Sequence, residues 1–249
     1  MPAASRRTAI VGLGLMGGSM ALGLRDTREV RGYDVDLSTR EAARGRGIAT
    51  ADSLAALFPA DVVIVATPLE AVVPTLDDLA PLAGSAVVVE VGSLKRDVAA
   101  YAGRAPSGAR IVGLHPMAGT TESGFGTADP AIFRDRPFLV VATARSDDDA
   151  LAETEAIARE LGGRPVRCSA EEHDRAVAML SGVPLVAALA LARAGEDVAH
   201  LAGPGFAGAT RLAATPPDLA RAILRGDRDN VKAALARFRR ALDEVERSF

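Results

Sequence analysis

The chain has 249 residues, enough to bury a sizeable core in one large domain or two modest ones. Hydrophobic residues make up 49% and charged residues 24%, the mix of a globular protein, and a net charge of -3 argues against a nucleic-acid partner. With no Trp and 4% aromatics, base-stacking platforms are not expected; the single cysteine, Cys168, excludes an internal disulfide framework and fits a reducing cytoplasm.

Arg6-Arg7 and the apolar run to Leu24 have the outline of a secretion signal. Gly12, Gly14, Gly17, Gly18 and Gly23 interrupt the run, however, and a second strand follows it, so no signal is expected. No uninterrupted apolar stretch of about 18 residues occurs, so no membrane span is expected. From Thr8 to about Val141, short β-branched runs alternate with helical patterns. Strands are predicted at Thr8–Val11, Val30–Tyr33, Asp61–Ala66, Ala86–Val91, Arg110–Gly113 and Pro137–Ala142. Between them, helices are predicted near Met16–Leu24, Ser38–Arg46, Leu69–Leu79 and Lys95–Ala102. A helix at Asp148–Leu161 and a strand at Arg164–Arg167 complete the series. Continuous apolar strands alternating with helices imply an α/β fold: a Rossmann-type, doubly wound parallel sheet.

After Cys168 only helical patterns remain. Ala170–Arg193 is a long apolar helix interrupted at Pro184, Pro216-Pro217 starts a helix to Leu224, and Asp229–Val245 is an amphipathic last helix. The expected division is a dinucleotide-binding domain over residues 1–168 and an all-helical domain over 169–249. The Ala176–Ala192 stretch is too apolar for one subunit to cover, which predicts a homodimer through the C-terminal helices.

Gly12-Leu13-Gly14-Leu15-Met16-Gly17 is G-x-G-x-x-G between a predicted strand and a predicted helix. Gly12 permits the tight turn, Gly14 lets backbone approach a pyrophosphate, and Gly17 lets helix pack on strand. The phosphates would lie at the helix N-terminus, where free N–H groups and the dipole favour negative charge. Asp34, 20 residues beyond Gly14, can accept from both ribose hydroxyls and would repel a 2′-phosphate. Val35-Asp36-Leu37 follows with no arginine, so NAD is favoured over NADP; Arg40 is the nearest basic residue after it. No metal site is expected.

Residues 113–124 place His115 at the mouth of the strand ending at Gly113, with Pro116 stopping that strand and a small-residue loop beyond. An imidazole, with an ordinary pKa of about 6.5, can take a proton near neutral pH. Fingerprint and histidine together suggest a nicotinamide-dependent dehydrogenase with His115 as its base.

Five motifs in order carry a closer resemblance: Gly-Leu-Gly-Leu-Met-Gly-Gly-Ser at 12–19, Val-Gly-Ser-Leu-Lys at 91–95, His-Pro-Met-Ala-Gly-Thr at 115–120, Glu-Glu-His-Asp at 171–174 and Gly-Phe-Ala-Gly-Ala-Thr-Arg-Leu-Ala at 205–213. With these the chain resembles the prephenate and arogenate dehydrogenases of tyrosine biosynthesis. The resemblance implies oxidative decarboxylation of a cyclohexadiene with NAD as hydride acceptor. It implies catalytic roles for His115 and Ser93, and substrate contacts at Arg211, Gly119 and Thr120. It further implies cofactor contacts at Gly12, Gly14, Leu15, Met16, Gly17, Asp34, Thr67 and Pro68. Ser93 is also an N-cap candidate for the helix near Leu94, and Arg211 a candidate for a surface ion pair. His173 stands in the family's His-Asp pair at a helix start.

The chain departs from the family where many members read Ser-His-Leu-Pro-His; here Ser181-Gly182-Val183-Pro184-Leu185 lacks both histidines. Thr121 likewise stands where glutamate is usual. Prephenate is the default substrate, and arogenate or an amino-substituted prephenate the alternative. A non-catalytic dinucleotide-binding sensor is the alternative from another class, against which the retained His115, Ser93 and Arg211 argue. Hydride exchange with an imine or hydroxy acid is a further enzymatic alternative. No mutase-like domain is expected before Thr8 and no regulatory domain beyond Phe249.

Overall fold

The structure, a computed structural model, describes residues 5–249. The chain divides into two compact units, the first ending at Ala170 and the second spanning Glu171–Phe249.

The first unit is built on one eight-stranded sheet of order β3-β2-β1-β4-β5-β6-β7-β8. Its strands are β1 (Arg7–Val11), β2 (Glu29–Tyr33), β3 (Ala49–Thr50), β4 (Val62–Val65), β5 (Val87–Glu90), β6 (Arg110–Pro116), β7 (Pro137–Ala142) and β8 (Arg164–Cys168). The helices are α1 (Leu15–Leu24), α2 (Leu37–Gly45), α3 (Leu69–Leu79), α4 (Arg96–Arg104) and α5 (Asp148–Glu160). Alternate residues of the central strands feed opposite layers. Ile10, Ile64, Val89 and Val112 pack with α1 and α5, whereas Val11, Val63, Val65 and Val88 pack with α3 and α4. Burial on both faces explains why these strands read as unbroken apolar runs.

Two sequence expectations change here. The sheet is not wholly parallel: β6 and β7 run antiparallel, and every other neighbouring pair is parallel. Periodicity reports burial and not direction, so nothing in the apolar runs distinguished this pair. In addition, β6 does not stop at Gly113. It leaves its parallel ladder with β5 at the Glu90–Gly113 pair, then continues to Pro116 in antiparallel register with β7, His115 facing Leu139. Pro116 is tolerated because it is the last residue of the strand.

The second unit contains α6 (Ala170–Val177), a π-helical turn (Ala178–Gly182), α7 (Val183–Ala194), α8 (Pro204–Thr210), α9 (Pro217–Gly226) and α10 (Arg228–Glu246). Pro184 lies in the first turn of α7, so the long apolar helix passes through a π-turn just before the proline. The internal core is small, consisting of Ala178, Val183, Val231 and Ala234. Ala170–Ala194 is the one helix among the described residues long and apolar enough to cross a membrane, and only 33% of its most apolar window is buried. Leu180 is 64% exposed, with Leu189 and Leu191 also partly open.

Candidate active site

The carboxyl ends of β1 and β4 adjoin where the strand order reverses, which is where open α/β sheets bind ligands. Gly12 turns the chain there with φ +89°, and a Cβ on it would lie 2.6 Å from the Ala66 carbonyl oxygen. A Cβ on Gly17 would overlap the Gly12 carbonyl and sit 3.0 Å from Ala66 Cβ. These two glycines weld turn, helix and neighbouring strand together. Gly14 is different. It begins α1 with no side-chain cap, and a Cβ added to it would meet nothing within 4 Å. Open space above the uncapped first-turn N–H groups of Leu15 and Met16 is what a pyrophosphate requires.

Asp34 ends β2 with its carboxylate turned back on this turn: Oδ2 accepts from Leu13 N at 2.7 Å and Oδ1 from Asp36 N at 3.0 Å. Arg40, the cation that bears on NADP, donates Nη1 to the Asp34 carbonyl at 2.6 Å and lies over the Tyr33 ring. Its guanidinium is thereby committed to backbone. Asp36 caps α2, and hydrogen bonds from the Ser38 hydroxyl and amide hold its carboxyl below the usual range. Thr67 and Pro68 follow β4. Pro68 precedes the first turn of α3, and Thr67 Oγ1 is buried with no hydrogen-bond partner. An orphaned hydroxyl at this edge fits a ligand polar atom, because buried polar groups are otherwise satisfied. Gly14, Asp34 and Thr67 together fit a dinucleotide.

Ser93 follows β5 and His115 lies in β6, so both stand at the same carboxyl edge, on neighbouring strands. Ser93 does not cap α4; Lys95 occupies the cap position without a side-chain bond. His115 is 9% exposed. Gly119 and Thr120 lie exposed in the loop after β6, where Thr120 Oγ1 accepts from Glu122 N at 3.2 Å. Arg211 belongs to the second unit, exposed in a short 3-10 turn (Arg211–Ala214) after α8. In that unit His173 is fully buried, its Nδ1 2.7 Å from Asp174 Oδ1. Gly182 is buried too, and a Cβ there would meet Val231 Cγ2 of α10 at 3.2 Å.

One feature of this edge was not assigned from sequence. Lys95 is completely buried, with Nζ 2.7 Å from Glu90 Oε2 and 2.6 Å from the Gly92 carbonyl oxygen. The available signal was its place at the end of the Val-Gly-Ser-Leu-Lys motif, as one of only two lysines with Lys232.

The sheet, the glycine turn and the acid after β2 define a protein with a dinucleotide-binding fold and a separate helical unit. Residues 20–167 match the family described as "Prephenate dehydrogenase, nucleotide-binding domain", and residues 169–249 match "Prephenate dehydrogenase, dimerization domain". The chain belongs to the prephenate dehydrogenase family, and it is an NAD-dependent oxidoreductase. It is 29% identical to the prephenate dehydrogenase of Bacillus subtilis over 252 residues, covering 95% of this chain and 68% of that relative. The structure of prephenate dehydrogenase from A. aeolicus in complex with hydroxyphenyl propionate and NAD+ superposes with TM-score 0.86 at 26% identity, covering 99% of this chain and 91% of that one. Synechocystis arogenate dehydrogenase superposes with TM-score 0.81 at 30% identity, covering 95% and 89%.

Proposed function

We propose that this chain oxidatively decarboxylates prephenate to 4-hydroxyphenylpyruvate in tyrosine biosynthesis. The observation that carries the reading is the placement of Ser93 and His115 on adjoining strand ends, at the edge that carries the glycine turn. NAD, when bound, supplies the acceptor for the hydride that leaves C4 of the ring. His115 takes the proton of the 4-hydroxyl as that hydride departs. The Ser93 hydroxyl hydrogen-bonds the same oxygen and orients the imidazole. The bond between C1 and the ring carboxylate then breaks, its electron pair enters the ring, CO2 leaves, and the oxygen recovers the proton from His115. Aromatisation drives the sequence, so the protein's contribution is position and one base. Gly119 and Thr120, in the loop after β6, border the substrate; Arg211, in the second unit, is the candidate for a substrate carboxylate, which its forked guanidinium suits. The division of labour follows the boundary at 168/169: cofactor in the first part, substrate grip and subunit contact in the second.

Arogenate is the second reading, favoured by one observation. Position 182 faces Val231 and lacks a histidine, as does 185, where Leu185 is buried. The polar partners many relatives place there are therefore missing at the side-chain end of the substrate. NADH formation with prephenate and arogenate in parallel, with His115→Asn as control, tests both. Turnover of one, lost in the variant, is the expected result. No turnover of either while NAD+ still binds would discard the reading.

The exposed leucines of Ala170–Ala194 fit a subunit interface, consistent with a homodimer joined through the C-terminal helices. A single cysteine and a water-soluble substrate fit a cytoplasmic enzyme. Light scattering giving a monomer mass at micromolar concentration would refute the dimer.

A further inference from the structure

The Glu90–Lys95 pair has no part in the reaction as drawn, yet it is a deeply buried ion pair, with side chains 1% and 0% exposed. Its polar ends converge on one residue. Glu90 Oε1 accepts a very short hydrogen bond from Gly92 N, and Lys95 Nζ donates to the Gly92 carbonyl. The peptide entering Ser93 is thus clamped at its oxygen, and the amide of the preceding peptide is fixed as well. The stem of Lys95 crosses to the other strand: a Cβ on Gly113 would lie 2.8 Å from Lys95 Cδ and 3.3 Å from Cε. Gly113 stands two residues before His115 in β6. A Cβ on Gly92 would collide with Glu90 Oε1 and approach Leu69 Cδ2 to 3.0 Å. Both glycines are therefore the size they must be for this pair to lie between the two strand ends.

We propose that Lys95, held by Glu90, is a positioning residue that fixes the Ser93 loop against the His115 strand; this rests on the site reading above. Stability alone does not call for such a pair, because a buried ion pair can be replaced by apolar groups of similar volume at little or no cost. Methionine would fill the stem's space beside Gly113. What it could not do is hold the Gly92 carbonyl. The cation is also a lysine in a chain whose Lys and Arg number 29 and include only two lysines. A compact ammonium on a slim stem fits the gap beside Gly113, where a planar guanidinium would not.

The test is a double-mutant cycle in the full chain, assayed with whichever of prephenate or arogenate is turned over. Glu90→Gln/Lys95→Met removes both charges together and leaves an acceptor for Gly92 N. It is expected to fold and to bind NAD+ and substrate within about threefold of wild type, while kcat falls about a hundredfold, the order expected for a misplacement of about 1 Å. Combined with Ser93→Ala, it should add less than about threefold to the loss from Ser93→Ala alone, since it acts through that hydroxyl. A kcat within threefold of wild type, or two losses that simply multiply, overturns the proposal. Should the charge-free variant fail to fold, Gly113→Ala keeps both charges, displaces the lysine stem and enters the same cycle, where either of those two results again overturns the proposal. Full activity in Ser93→Ala and His115→Asn would instead sink the site reading, and this inference with it.

Discussion

Gly14→Ala and Gly17→Ala add the same methyl group three residues apart, and the structure predicts opposite consequences. At Gly17 the new carbon overlaps the Gly12 carbonyl and lies 3.0 Å from both Gly12 C and Ala66 Cβ, all of them atoms of the rigid turn or its neighbouring strand. No flexible side chain can swing away, so the backbone must shift, and the cost falls at the upper end of overpacking, about 3 kcal/mol. For a chain of this size that lowers Tm by roughly 6–12 °C, at about 2–4 °C per kcal/mol. At Gly14 the methyl meets nothing within 4 Å, and φ is an ordinary -67°. The only structural loss is a poorer N-cap, under about 1 kcal/mol, so Tm of the free protein stays within about 4 °C. That methyl does occupy the space the pyrophosphate requires, and the Kd for NAD+ should rise at least about tenfold, or ~1.4 kcal/mol. Thermal melts with and without NAD+, paired with calorimetric titration, separate the two effects. Wild-type NAD+ affinity in Gly14→Ala, or a wild-type melt in Gly17→Ala, would refute the reasoning.

Asp34→Ser removes the carboxylate that meets Leu13 N and would repel a 2′-phosphate, so the ratio of NADP+ to NAD+ affinity should rise at least about tenfold. An unchanged ratio in paired titrations would remove Asp34 from the ribose. Arg28→Met strips a guanidinium, 4% exposed, from Glu153 at 2.6 Å and from Glu160, which it meets through two bonds. Two carboxylates are left behind, and urea unfolding should show a loss of about 3 kcal/mol; a loss below about 1 would contradict it. Hydrogen bonding to Arg28 holds the Glu160 carboxyl below its ordinary range. Its contribution is therefore fully present above the unfolded value of about 4.3 and is lost as pH falls through the lower folded value. Unfolding midpoints followed down from pH 5 should fall less steeply in Glu160→Gln than in wild type. Parallel curves would show that this pair does not shape the acid limb.

Much of the first unit was legible because burial on two faces leaves long apolar runs and because Gly12, Gly14 and Asp34 stand at the spacing of the dinucleotide fingerprint. The helix Leu69–Leu79 has the predicted bounds, Pro74 notwithstanding. Strand direction was not legible: β7 reads like its parallel neighbours, and only the connection through residues 117–136 reverses it. The extension of β6 through Leu114 and His115 was not legible because Gly113 and a histidine break the apolar run; Pro116 does end the strand. In the second unit, α8 and the turn bearing Arg211 are short and rich in glycine and alanine, with too little periodicity to announce them. The Ala170–Arg193 break was foreseen at Pro184 but takes the form of a π-turn before it, a choice of hydrogen-bond partner that composition does not record. Glu90 and Lys95 are polar residues beside an apolar run, and sequence alone gives no reason to bury them.

His115 is part of a β-ladder, paired with Leu139, while the residues beyond Pro116 lie in a loop. Its main-chain position is inherited from the sheet and does not depend on how that loop folds. Under the proposed roles, specificity and chemistry are mechanically decoupled. If His115 is the proposed proton acceptor and residues 118–124 border the substrate, changes to that loop should alter which ring is accepted while His115 stays where the sheet holds it. For anyone redirecting this scaffold to another ring, that loop is the region to randomise, and β6 and β7 are the rails to leave alone.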